Sequence, residues 1–188
     1  MPLSKPTPED IKKIHAEVNQ IVNQRFLLIT IAITVFGVVT AWIVPRTPPA
    51  PGSDVGGFVF VITMVLSTLL FSLFLLGHLL KGMLRVFTTY LAVTDSSNWE
   101  KDWKQFRQSP YLAYTKPQTI VFLILNALAT GFPCILARVY SLHLAPCIGL
   151  VTSLGWGVLT EFLMFGMGLL NWWDRERRAE QQWKSLKV

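Results

Sequence analysis

Charge is scarce in this chain, and four long stretches are kept almost free of it. Only 15% of its 188 residues are Asp, Glu, Lys or Arg. Residues 26–44, 58–77 and 119–137 carry no charged side chain, and residues 146–172 carry one, Glu161. Cysteine is scarcer still. Cys134 and Cys147 are the only two, and they do not form the C-x-x-C pair that a membrane thiol oxidoreductase needs. Histidine occurs three times, as His15, His78 and His143 on three different segments, which excludes a metal-ligand cluster of the usual spacing. The chain has no Walker loop, no G-x-S-x-G, no H-E-x-x-H and no Gly-rich dinucleotide turn. These absences lead us to expect a non-enzymatic protein with no metal and no cofactor.

What is present is apolar. Hydrophobic residues make up 52% of the chain, a high fraction for a soluble domain of this length. About twenty residues at ~1.5 Å rise cover the ~30 Å hydrocarbon core of a bilayer. Each of the four runs is therefore long enough to cross a membrane. The charges that remain are distributed unevenly: of the seventeen Lys and Arg, all except Arg46 and Arg138 fall on one side of those crossings. The positive-inside rule then predicts that both termini and the central loop are cytoplasmic. The net charge of +6 is accounted for by this placement, and juxtamembrane cations attract anionic headgroups at ~1 kcal/mol each. Nucleic acid is not the expected partner.

The predicted fold is an all-α membrane protein with four transmembrane helices, N-in and C-in, with amphipathic cytoplasmic helices. It forms one bundle. Residues 1–25 make a cytoplasmic amphipathic helix, 26–44 the first span, 45–57 an exterior loop and 58–77 the second span. Residues 78–118 form a cytoplasmic loop with an interfacial helix at 98–108. The third span is 119–137, the exterior turn 138–145, the fourth span 146–172 and the cytoplasmic tail 173–188. Glu9, Asp10 and Glu17 lie ahead of the first run, and a Pro-rich stretch follows it instead of a cleavage site. The first span is thus expected to persist in the mature protein.

Local signals mark the ends. Thr7-Pro8-Glu9-Asp10 reads as a helix start with Thr7 as N-cap. Ile11, Ile14, Val18 and Ile21 follow at three- and four-residue spacing, either as a stem against the leaflet or as a seam for a partner helix. The stretch 45–57, rich in Pro and Gly and without apolar anchors, reads as a plain linker. Lys81 and Arg85, one turn apart, are expected to snorkel to the phosphates. Ser97 and Glu100 make a capping box for a helix that floats Trp99 and Trp103 at the interface. Trp172 and Trp173, followed by alternating charges, form an aromatic belt and a stop. Pro133 is expected to kink the third span. Cys134 and Cys147 fall near one end of the last hairpin, where a disulfide is open in an oxidising compartment and free thiols are commoner.

One residue invites a functional reading. Glu161 lies ten residues, or ~15 Å, before Asn171, near the midplane of a ~30 Å core. A carboxyl there costs on the order of 3 kcal/mol on insertion scales and tends to face a bundle interior or a cavity. Asn126 is its nearest polar neighbour by depth. Gly149, Ser153, Gly157 and Glu161 recur every four residues, so a groove of small residues leads to the carboxyl. The plainest role is a structural hydrogen bond from a protonated Glu161 to Asn126 or to a backbone carbonyl. The leading functional expectation is a self-associating channel, pore or membrane-perturbing effector, with the bundle as a homo-oligomer. A proton-coupled small-molecule transporter using Glu161 is the first alternative. A non-catalytic accessory or assembly subunit is the second. Expected partners are the anionic inner leaflet, further copies of the chain, and a cytoplasmic protein reached by the N-terminal helix or central loop. The plasma or inner membrane is the expected location.

Overall fold

The computed structural model describes residues 7–45, 49–93, 116–144, 148–168, 181–182 and 185. Four long helices account for nearly all of these residues: α1 (Pro8–Ile43), α2 (Gly57–Val93), α3 (Lys116–Tyr140) and α4 (Ile148–Gly168). All four are long and apolar enough to cross a membrane. In lipid no water is available for peptide groups, so a helix, which bonds its own backbone, is the conformation these apolar runs must take. The protein is a small multi-pass α-helical membrane protein folded as a four-helix bundle.

α1 starts at Thr7, whose side chain accepts from the Asp10 N–H while Asp10 Oδ2 accepts from the Thr7 N–H at 2.9 Å. From there 36 residues run to Ile43 without a break. The helix stops at Val44, which is extended as the residue before a proline tends to be. At ~1.5 Å per residue, α1 and α2 are each roughly 55 Å long, so both outrun a ~30 Å core. The excess lies at the end of the bundle that holds the N-terminus, called here the terminal end. The opposite end, with the 44–56 and 141–147 connections, is the hairpin end.

The packing is uneven. α2, α3 and α4 pack against one another in every pairing, whereas α1 lies along α2, touches α3 less, and is not in contact with α4. The core joins Leu66, Leu70 and Phe74 of α2 to Phe122, Leu125 and Ala129 of α3 and Met164 of α4, with Ala32 the buried contribution from α1. Phe74 meets Phe122 edge to face at a centroid distance of 5.9 Å. Large apolar side chains cover the outside, among them Phe26, Val38 and Trp42 on α1, Val65 on α2, Ile124 on α3, and Val158 and Phe162 on α4. In a membrane protein this is the face that lipid covers.

The hairpin end corrects the expectation of an unanchored linker at 45–57. Val55 is buried with Phe60 and Ala137, and Leu142 and Leu144 pack on them. The backbone joins the two connections as well. Val55 N–H donates to His143 O (3.1 Å), His143 N–H to Ser53 O (2.8 Å) and Gly52 N–H to Ser141 O (3.0 Å). Gly52 turns the chain with φ of 81°, a conformation that side chains disfavour. The sequence signal was Val55 itself, a lone apolar residue among Pro and Gly that pattern reading passed over.

Candidate functional site

Halfway along the bundle, three helices contribute polar side chains to one buried cluster. Counted from the hairpin end, Ser67 of α2 lies ~15 Å along its helix, Asn126 of α3 ~21 Å, and Thr160 and Glu161 of α4 ~18–20 Å. Common depth brings them together. Asn126 is at the centre and fully buried. Its Oδ1 accepts from Ser67 Oγ at 2.6 Å, and its Nδ2 donates to Glu161 Oε2 at 2.8 Å, to Thr160 Oγ1 at 3.2 Å and to Gly157 O at 3.3 Å. Ser67 and Thr160 share a further hydrogen bond of 3.1 Å. Thr160 Oγ1 also reaches the Gly157 and Trp156 carbonyls of its own helix.

The arrangement has a direction. Ser67 and Thr160 are buried, but Glu161 is only half-buried. It stands where the inner face of α4 gives way to the outward stripe of Val158, Phe162 and Phe165. The carboxamide is thus held from behind by Ser67 and presents an N–H to a carboxyl oxygen at the rim. The sequence anticipated the carboxyl as donor, to Asn126 or to a backbone carbonyl. In the structure Asn126 donates and the carboxyl accepts.

Gly149, Ser153 and Gly157 do line one face of α4, and that face is packed inside the chain. Gly149 lies on Phe60 of α2, with 3.4 Å to the position a Cβ would take. Gly157 meets Thr130 of α3 so closely that a methyl group in place of its hydrogen would overlap the Thr130 side chain. Thr130 Oγ1 is buried there without a hydrogen-bond partner among the described residues. That groove of small residues is therefore filled by α2 and α3 of the same chain. Ser153 is buried and, among the described residues, donates to the Leu150 carbonyl one turn back.

At the terminal end Lys81 departs from the snorkelling expectation, because it is buried, 6% exposed. Arg85 is half-buried on the next turn. Trp99, Trp103, Trp172 and Trp173, the 98–108 helix with its Ser97–Glu100 capping box, and Cys147 lie outside the described residues. Cys134 is an exposed free thiol on α3. Pro133 is buried within α3, where it removes the N–H that would have bonded the Ala129 carbonyl. Among the described residues no cluster of three or more His, Cys, Asp or Glu exists that could hold a metal.

Sequence reading missed Ser67, Thr160, Gln118 and the tie from Trp156 Nε1 to Thr68 Oγ1 (2.9 Å). Ser67 and Thr160 had a usable signal. Each is a small hydroxyl residue within an apolar run, at the depth of Glu161. In the sequence Arg25 reads as one more cation on the side opposite Arg46 and Arg138. Its Nε and Nη2 both donate to Gln118 Oε1, the former at 3.0 Å. Arg85 lies close enough for its like charge to act on Arg25. Compared with protein-family models, with curated proteins and with solved structures, the chain matches none.

Proposed function

We propose that this small membrane protein acts within the bilayer through the Glu161 carboxyl, as the proton-binding residue of a proton-coupled small-molecule transporter. The observation that carries this reading is the 2.8 Å bond from a fully buried Asn126 to a half-buried Glu161. A purely structural polar pair is best buried at both ends, because an unshared carboxyl facing hydrocarbon is costly. Here the amide is fixed and the acid stands at the rim, where it can exchange a proton and meet a ligand. In this reading both termini are cytoplasmic, the location is a plasma or inner membrane, and the chain catalyses no covalent chemistry.

A second reading, a pore or channel made by self-association, draws on the exposed stripe of Val158, Leu159, Phe162 and Phe165 beside Glu161. Copies joined along that stripe would bring one carboxyl from each to a shared seam. Native mass spectrometry separates the readings. A closed oligomer of four or more copies favours the pore, a dimer the transporter, and a monomer bound to another protein an accessory subunit.

The test of the carboxyl needs no knowledge of the substrate. A hydrophobic carbodiimide reacts with protonated carboxyls that are reachable from lipid. The full-length protein in vesicles should be labelled at Glu161, with labelling that falls as pH rises, and Glu161→Gln should abolish it. If Glu161 stays unlabelled at every pH in the folded protein, yet reacts once the protein is denatured, the carboxyl is a sealed structural group and both readings fail.

A further inference from the structure

The terminal end of the bundle gathers positive charge from two helices around one neutral side chain of a third. Arg25 of α1 donates to Gln118 of α3 through Nε and Nη2. Gln118 in turn occupies the space over Gly77 of α2, where any side chain would overlap its carboxamide, and Leu28 of α1 lies beside it. Lys81 and Arg85 follow Gly77 at one and two turns, on the same face of α2. Lys81 is buried, and Arg25 and Arg85 are half-buried.

Depth puts this group at the membrane surface. Arg25 is ~27 Å along α1 from Ile43, just inside the edge of a ~30 Å core, and Lys81 and Arg85 are ~36 and ~42 Å along α2 from Gly57, beyond it. Arg25 and Arg85 lie close enough to act on each other as like charges, and Arg25 loses hydration where it is half-buried. Arg25 has a neutral partner in Gln118 and forms no ion pair among the described residues. Lys81 and Arg85 also interact within the chain. A phosphate, with its several strong acceptor oxygens, can share such donors without displacing their other bonds.

We infer that Arg25, Lys81 and Arg85 form a site for a phosphate group at the membrane surface, with Gln118 positioning the Arg25 guanidinium. The phosphate belongs either to the headgroup of an acidic phospholipid or to a soluble phosphate compound. Gln118 holds the Nε–Nη2 edge of the guanidinium and leaves Nη1 for the anion, in the forked geometry by which arginine takes phosphates. Lys81, on the buried side, supplies a point charge, and Arg85, nearer the water, supplies a second fork. Gly77 makes the site possible, because a side chain there would push Gln118 away from Arg25. The inference is independent of Glu161 and holds whether or not that residue exchanges protons.

The experiment uses the full chain released from vesicles of phosphatidylcholine and phosphatidylglycerol in equal amounts, read by native mass spectrometry. Wild type should retain phosphatidylglycerol over phosphatidylcholine by at least about fivefold, the ratio that ~1 kcal/mol from one cation supplies. Arg25→Gln and Arg85→Gln should each bring that ratio towards one. Arg25→Lys, which keeps the charge and loses the fork, should fall between. The double variant Lys12→Gln/Lys13→Gln, on an exposed stretch of α1, should match wild type. Displacement of the lipid by millimolar inorganic phosphate would identify a soluble phosphate as the ligand, and its persistence a lipid headgroup. Either result supports the site. Equal retention of the two lipids by wild type, without binding of phosphate, overturns it. So does an equal loss in the Lys12/Lys13 variant, which would mean diffuse surface charge and no site.

Discussion

The bundle contains two kinds of helix packing, and they differ in what holds them. α2, α3 and α4 are tied at their centre by the Ser67–Asn126–Thr160–Glu161 cluster and wedged close by Gly157 against Thr130. α1 has no such tie at mid-depth. It is fastened by Arg25 to Gln118 halfway along its own length and by the edge-to-face pair Trp42–Phe58 (5.5 Å) at the hairpin end. Between them it rests on Ala32, its one buried residue in the main core. Lipid is as apolar as leucine, so greasy contact alone gives helices in a membrane little reason to associate. Close packing and interhelical hydrogen bonds must supply that reason. α2–α4 have both along their length, and α1 has them in patches. The three-helix unit should therefore behave as one block, and α1 as an arm laid on it.

The contrast is broken most severely at Asn126. Asn126→Leu fills a similar volume and removes all four hydrogen bonds of the carboxamide at once. It leaves Glu161 with no donor from α3 and Ser67 with Thr160 alone. Interhelical bonds in bilayers average ~0.6 kcal/mol, and a buried group left unsatisfied costs ~1–3 kcal/mol, so a loss of about 2–3 kcal/mol is expected. It should appear as a lowered midpoint for unfolding in mixed micelles, with α2, α3 and α4 losing protection together. An unchanged midpoint would mean that packing alone carries the block.

A smaller and more local effect is expected at Ala32. Its side chain is fully buried against α2 and α3, so Ala32→Leu overpacks the seam at a cost of about 1–3 kcal/mol. The block has its own ties and should survive. Hydrogen exchange should quicken across the middle of α1 while the amides of α2–α4 keep their wild-type rates. If all four helices quicken equally, α1 belongs to the block and the distinction drawn above is wrong.

The sequence made the block easier to foresee than its internal arrangement. Long charge-free runs announce spanning helices, because a polar backbone in lipid has few alternatives. Thr7-Pro8-Glu9-Asp10 announced the start of α1 for an equally local reason. Asn126 was found as the partner of Glu161 by depth, a one-dimensional coordinate that rise per residue supplies. Ser67 and Thr160 lie at the same depth and were missed, because hydroxyls in apolar helices normally bond their own backbone, as Thr30, Thr40 and Thr152 do here. Rotation about the helix axis decides whether such a hydroxyl meets a neighbour, and hydropathy is nearly blind to rotation. The small-residue face of α4 was legible for the same four-residue periodicity that gives it a rotation. Its partners were not, since a groove that suits a second copy suits a neighbouring helix of the same chain equally well. The Arg25–Gln118 tie joins residues 93 positions apart and left no mark in either segment.

The mildest test of the comparison is at the free tip of α1. There the helix is held by its own cap, Thr7 with Asp10, and both residues are exposed. The Thr7 hydroxyl first, its backbone N–H second and Lys13 third favour the charged Asp10 carboxylate and hold its pKa below the ordinary value. A carboxyl whose folded value is depressed stabilises the structure at pH above its unfolded value, about 3.9, and that help is lost as pH falls through the folded value. Acidification through that window should therefore fray the first turn of α1. Protection of the amides of Asp10 and Ile11, relative to their intrinsic exchange rates, should fall, and Asp10→Asn should remove most of that pH dependence. Because an arm fastened at Arg25 and Ala32 does not transmit fraying of its tip, protection beyond Arg25 should stay level over the same range. Acid-induced loss of protection along the whole of α1, in wild type and absent in Asp10→Asn, would show instead that the cap anchors the helix to the block.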